Sequence, residues 1–298
     1  MSPANQDLWV SERFKDAVET RWRVKETLYH AQSEFQTVDI VDTEFWGRML
    51  LLDGLVMTTE KDEHTYHEMI THTPMLAHPN PKQVLVIGGG DGGTIREVLK
   101  HPSVERAVLC EIDQLVIDSS REFLPSIAGA LDDPRVDIQV RDGAAYIAQH
   151  ANTFDVILID STDPIGPGAR LFNHEFYTNV KNALSEQGVM AAQTESPISQ
   201  PSEVREINTL LNGVFPVVKT YTNMIPTYPG NQWTWTFCSK QQGPFDLVDA
   251  KRVEAIEKTC RVFNRHVHRA IFALPNYIQE MIAPHSFLYA KQSEPLSV

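Results

Sequence analysis

Short runs of alternating apolar and polar residues occupy the start of the chain, at 22–25, 35–41 and 48–52, and Asp53 and Gly54 join the last of these to 55–59. Alternation with period two places every second side chain on one face of a strand, and Asp-Gly between two apolar runs is a hairpin signal. A small antiparallel β-domain is predicted. From Asp62 the period lengthens, with Tyr66, Met69, Ile70 and Pro74 spaced as on a helix, and a proline-rich linker follows at 79–82.

Beyond the linker, compact apolar runs recur at 84–88, 107–111, 136–140, 155–160 and 189–193, separated by amphipathic stretches such as 94–101 and 174–184. Continuous apolar strands alternating with helices indicate strands buried on both faces, so the fold class is α/β with a doubly wound, mostly parallel sheet. A late strand is expected at 233–238 and a mainly helical tail over 249–283. The expected division is 1–75 for the antiparallel β-domain with its connecting helix. Residues 76–298 then form a Rossmann-like, nucleoside-binding domain with C-terminal helices.

The chemistry gathers at the ends of these strands. Gly88, Gly90 and Gly93 follow the first parallel strand and open a helix, a GxGxxG spacing that lets backbone approach a ligand. Glu111 lies 23 residues after Gly88, at the end of the next strand, where a carboxylate can accept both ribose hydroxyls. Asp142 with Gly143, and then Asp160, end the next two strands. Asp142 also suits a helix N-cap, and the run from Asp163 through Pro167 to Gly168 also suits a plain loop. Asp91 discriminates further. A pyrophosphate at this helix start would meet its carboxylate at close range, so a cationic nucleoside fits better than a dinucleotide.

Composition narrows the classes. The 298 residues carry a net charge of −13 and 42% hydrophobic residues, which disfavours nonspecific nucleic-acid binding and suits a folded core. No run of some 18 apolar residues suggests a membrane span, and the three cysteines show no metal-like spacing. A cytoplasmic protein in a reducing compartment is expected. His64, His67 and Glu68 form HxxHE, which matches neither HExxH nor HxxEH, so no metal site is expected.

The chain resembles the polyamine aminopropyltransferases. The likeness is carried by Thr65 to Met69, Gly88 to Gly93, Glu111 with Asp113, Asp142 with Gly143, Asp160 to Pro167, Ile225 to Pro229 and 267–275. It runs over about 9–289. The resemblance implies a six-stranded N-terminal β-domain on a methyltransferase-like Rossmann domain. It also implies transfer of an aminopropyl group from decarboxylated S-adenosylmethionine to putrescine, giving spermidine and 5′-methylthioadenosine. No cofactor beyond this co-substrate is implied, and the partners are small molecules and further copies of the chain, as homodimer or homotetramer.

By matching motif, Gln36 and Glu111 hold the ribose, Asp142 with Gly143 the adenine, and Gly88 and Pro167 complete the donor site. Asp91, helped by Asp160, takes the aminopropyl ammonium. His67 stands where relatives carry Gln or His. Tyr66 and Asp160 address the attacking amine as the catalytic pair, while Asp163, Gln193, Tyr228 and Trp233 line the acceptor site. Trp9 suits either a channel wall or packing. Residues 164–174 are expected to form a gate. A methyltransferase would use the same crevice with intact S-adenosylmethionine, and a noncatalytic polyamine sensor would bind without turnover. Cadaverine, agmatine or spermidine remain alternative acceptors, with a channel near Trp233, Trp235 and Gln193 deciding among them.

Overall fold

The computed structural model describes residues 8–162 and 166–283. Five strands, β1 (Leu8–Phe14), β2 (Val18–Gln32), β3 (Thr37–Thr43), β4 (Gly47–Leu52) and β5 (Leu55–Thr59), form an antiparallel meander in chain order. Five among the described residues stand against the six that the family resemblance implied. Asp53 and Gly54 both take positive φ, 49° and 80°, the two-residue hairpin turn whose twist matches the flanking strands. Alternation in β3 and β4 sends Val38, Ile40, Leu50 and Leu52 to one face. Val41, Met49 and Leu51 go to the other, with Trp22 and Val24. The first face packs on Val116, Leu124 and Ile127 of the second unit, and this docks the start of β3 beside the carboxyl ends of the second sheet's strands.

The helix α1 (Glu63–Ala77) links the two sheets and is buried almost throughout, which is why its face pattern is weak in sequence. It spans the expected division at 75. The second sheet contains β6 (Gln83–Gly88), β7 (Arg106–Glu111), β8 (Val136–Val140), β9 (Phe154–Asp160), β10 (Leu184–Gln193), β11 (Val217–Met224) and β12 (Gln232–Ser239). Their order is β11-β12-β10-β9-β6-β7-β8, with β6 to β10 parallel and β11 and β12 an antiparallel edge. The chain steps from β6 outward to β7 and β8, then returns to place β9 on the other side of β6. That reversal makes β6 and β9 the topological switch point, where α/β sheets bind ligands. Gly88 and Asp160 are register partners there.

Helices α2 (Gly93–Leu99), α3 (Gln114–Phe123), α4 (Pro125–Ala128) and α5 (Gly143–Ile147) follow individual strands, and α6 (His174–Ala183) and α7 (Pro201–Val214) cover the far side. The tail forms α8 (Ala250–Glu257), α9 (Arg265–Ala270) and α10 (Asn276–Ile282). Glu68 of α1 ties this tail down. Its buried carboxylate accepts the N–H groups of Arg261, Val262 and Phe263 at 2.7, 2.8 and 2.7 Å. Asp163 lies outside the described residues, as do 164 and 165 of the expected gate. The rest of that segment is a 3-10 turn, Gly166–Leu171, leading into α6.

Candidate active site

The glycine loop is shaped by close approach. Gly88 and Gly89 have φ of 78° and 70°, a region open to glycine at little cost. A Cβ at Gly88 would sit 2.2 Å from the carbonyl oxygen of Asp160, and one at Gly89 2.7 Å from its carboxylate. The loop therefore lies directly against the end of β9. Above it opens a cleft of about 950 Å³, lined by Gln36, Tyr66, His67, Gly88, Asp91, Glu111, Asp142, Gly143 and Asp160. A second hollow of about 510 Å³ holds Glu12, Gln193, Gln200 and Trp233. Tyr66, Ser161, Thr162 and Tyr228 line both, so the two meet at the Tyr66 ring.

Asp160 lines the first cleft and reaches the junction through its neighbours, Ser161 next in the chain and the hydrogen-bonded Tyr66. Its two carboxylate oxygens accept the hydroxyls of Tyr66 and Thr94, each at 2.6 Å. Burial, and next the neighbouring Asp91, raise its pKa above the usual carboxylate range. Burial and Asp160 likewise push the Tyr66 phenol well above 10, so Tyr66 stays a hydrogen-bond donor. Asp91 accepts the N–H of Gly93 at 2.7 Å and faces His67 Nε2 at 3.4 Å. Burial works against its charge, but His67 holds the carboxyl low. On the other side of the ring, His67 Nδ1 lies 2.6 Å from Glu63, which also accepts Arg96 at 2.7 Å.

Across the cleft, Glu111 accepts the N–H of Asp113 at 2.9 Å, and burial pushes its carboxyl up to about 7. Gln36 is steadied by Asp113 at 3.1 Å, and Ser33 holds the same carboxylate oxygen at 2.7 Å. Asp142 does both things its position suggested. One oxygen caps α5 through Ala144 and Ala145 at 2.8 and 3.1 Å, and the other pairs with Arg170 at 3.2 Å on the cleft wall.

A crevice at the switch point, with a ribose-type carboxylate on one wall and paired acids on the other, suits a cationic nucleoside. Comparison with known proteins decides the family. Residues 63–252 match the spermine/spermidine synthase domain, and 8–60 match the spermidine synthase tetramerisation domain. The chain belongs to the polyamine aminopropyltransferase family.

Among the relatives of this transferase family, the polyamine aminopropyltransferase of Shouchella clausii (strain KSM-K16) is 47% identical over 93% of this chain and 99% of its own. That of Bacillus subtilis (strain 168) is 46% identical over the same shares. The fold agrees as well. A spermidine synthase solved with the transition-state analogue AdoDATO matches at TM-score 0.91 and 44% identity, over 93% of this chain and 96% of that one. Spermidine synthase from Thermotoga maritima matches at TM-score 0.90 and 44% identity, over 93% and 95%.

The residues picked out by family resemblance divide by position. Tyr228 lies between the hollows, its hydroxyl donating to the carbonyl of Met57, and Trp233 packs edge-on against it at 4.8 Å. Gln193 lines the second hollow and is held by Ser161 and Glu195 at 3.2 and 2.9 Å. Trp235 lines neither hollow but is fully buried against Tyr66 and Tyr221, so it backs the ring at which the hollows meet. Trp9 sits on β1, 53% exposed, and lines neither hollow. Pro167 falls in the 3-10 turn.

Thr94, Glu63, Arg96 and Ser33 are the partners that sequence patterns did not mark. Thr94 alone carried a signal, since it is the first residue after the glycine motif; the others reach the site only through the fold. The HxxHE residues separate, His67 turning to the cleft and Glu68 to the tail. His72, Glu97 and Cys260 approach within 4.8 Å of one another. Glu97 there is already engaged by Arg96 at 2.9 Å, Lys100 at 2.5 Å and His72 at 3.0 Å, a set that answers its charge without a metal.

Proposed function

We propose that the chain is a spermidine synthase, moving the aminopropyl group of decarboxylated S-adenosylmethionine onto putrescine with release of 5′-methylthioadenosine. The observation that carries this reading is the Asp160 carboxylate in the first cleft, beside Asp91 and hydrogen-bonded to Tyr66, whose ring lines both hollows. In this reading Glu111 and Gln36 take the ribose of the donor. Asp142 and Gly143 face the adenine, with Gly88 and Pro167 beside them, and Asp91 takes the donor's ammonium. Putrescine lies in the second hollow among Gln193, Tyr228 and Trp233, with Asp163 assigned to it by motif.

The amine's lone pair attacks the carbon bonded to the sulfonium. The C–S bond breaks with its electron pair left on sulfur, so the leaving group needs no acid, metal or redox group. The nucleophile is the difficulty. An alkylammonium of pKa near 10.4 costs about 4.6 kcal/mol to hold neutral at pH 7. A carboxylate made more basic by burial and by Asp91 narrows that gap, so Asp160 serves as the proton acceptor while Tyr66 aligns the amine. Intact S-adenosylmethionine would bring a carboxylate towards Asp91 and Asp160, which like charge disfavours.

A cytoplasmic setting accords with three free thiols. Assembly into a homo-oligomer accords with the match of 8–60 to a tetramerisation domain. Incubating the protein with decarboxylated or intact donor and a panel of amines tests the reading. Methylthioadenosine and spermidine should form with the decarboxylated donor and putrescine. Methyl transfer from intact donor, or no product with any amine, would overturn it.

A further inference from the structure

His67 is buried with a carboxylate on each ring nitrogen, Glu63 at 2.6 Å from Nδ1 and Asp91 at 3.4 Å from Nε2. A neutral imidazole has one N–H and can answer only one of them, whereas the imidazolium answers both. The groups near the ring from the surrounding elements are carboxylates and one neutral hydroxyl: Glu63 and Tyr66 on α1, Asp91 in the glycine loop and Asp160 at the end of β9. Arg96 of α2 is the nearby cation, and it is already engaged by Glu63 and Glu97. Gly93 packs so close that a Cβ there would lie 2.2 Å from the ring, so the imidazole is fixed in place. Burial opposes its charge, yet the two carboxylates hold its pKa well above 6.5.

Without ligand, then, the cation of the donor pocket is supplied by the protein. A primary ammonium brings three N–H donors and no acceptor. Placed between Asp91 and His67, it would confront an Nε2–H with a like charge. We propose that His67 is a proton-exchange residue for the donor: the incoming ammonium displaces the proton on Nε2, and the freed nitrogen then accepts one of its N–H bonds. The proton leaves to solvent, and Nδ1–H stays on Glu63, which fixes the tautomer. Charge is conserved at the site, one buried cation replacing another, so the carboxylates are never left unanswered. This rests on the spermidine synthase reading, which supplies the ammonium. It also assigns Glu63 as a positioning residue.

Methylthioadenosine provides the control, because it carries the nucleoside with neither the ammonium nor the sulfonium charge, and the His67→Gln variant separates the part that depends on His67. Titration calorimetry at pH 7.5 in two buffers of different ionisation enthalpy counts the protons released. Decarboxylated S-adenosylmethionine should release up to one more proton than methylthioadenosine, and its affinity relative to methylthioadenosine should rise with pH over the range in which free His67 is protonated, by at most about tenfold per pH unit. In His67→Gln, whose amide oxygen can still accept the ammonium, both differences should vanish. Equal proton counts for the two ligands in the wild type would overturn the proposal, as would excess release that persists in His67→Gln, which would place the proton on Asp160. Nitrogen-15 resonances of the His67 ring provide a readout without mutation: the imidazolium pattern should be lost with the donor and kept with methylthioadenosine. Spermidine formation by a wild type that shows no excess release would sink the exchange alone, whereas absence of aminopropyl transfer would sink the parent reading.

Discussion

Asp160 is held by two neutral hydroxyls, from Tyr66 and Thr94, in surroundings that make a charge on it costly. If that cost is what lets it take a proton from the amine, Asp160→Asn should lower turnover by orders of magnitude at pH 7. Tyr66→Phe, which removes one aligning contact, should cost about 10²-fold. The double variant should lose less than the product of the two, since both groups address one nitrogen. Initial rates with saturating donor check this, and near-wild-type turnover in Asp160→Asn would remove it from the base role. Glu111 allows a separate test of the proposed nucleoside site. Its carboxyl is raised by burial from 4.5 to about 7, so the folded state favours its protonated form. That contribution is complete below pH 4.5 and is lost as pH rises through 7, a span of about 3 kcal/mol. If Glu111 takes the ribose as proposed, its ionised form accepts the hydroxyls, so methylthioadenosine should bind more weakly as pH falls below 7. Binding titrations from pH 5.5 to 8.5 should show this in the wild type and a flat profile in Glu111→Gln.

Elements differ in how plainly they were written into the chain. Strands β6, β7 and β9 carry continuous apolar runs at 84–87, 107–110 and 156–159, buried on both faces, and that continuity made them readable, along with the acids at the ends of β7 and β9. The Asp53–Gly54 hairpin was equally plain, since its two positive φ values demand such residues. Strand β11 was not: Val217–Met224 is half-buried and interrupted by Lys219, Thr222 and Asn223, as suits an edge. Among the site residues, glycines and strand-end carboxylates follow from local spacing. The Glu63, His67 and Asp91 line does not, because it exists only where α1 crosses the start of α2. That crossing is tight enough to test. Gly93→Ala places a methyl where the His67 ring lies, and overpacking of this kind typically costs 1–3 kcal/mol. The variant should unfold at lower denaturant concentration and lose donor affinity more than methylthioadenosine affinity. Unchanged stability and binding would mean that α1 yields easily and that the ring is not clamped.

For the whole molecule, the first sheet poses a problem that one copy leaves open. It exposes Leu8, Trp9, Val18 and Phe45, each about half exposed or more. Scattered apolar side chains are ordinary on a monomer. Here they lie within residues 8–60, the segment matching a tetramerisation domain, which favours burial between copies. Each copy also carries a net charge of −13, so assembly must bring like charges together. Two consequences follow if this sheet is the contact. Association should strengthen between low salt and about 0.15 M, as screening shortens the reach of the repulsion to some 8 Å. Replacing Val18 with Asp should weaken it by adding charge to the apolar surface. Sedimentation velocity over a concentration series would show a larger species in the wild type, growing with salt, and a smaller one in Val18→Asp. Because a bound partner stabilises the folded chain by mass action, the wild-type thermal midpoint should also rise with protein concentration, and that of the variant should rise less. A Val18→Asp protein that sediments as the wild type at every concentration would move the contact away from this edge of the sheet.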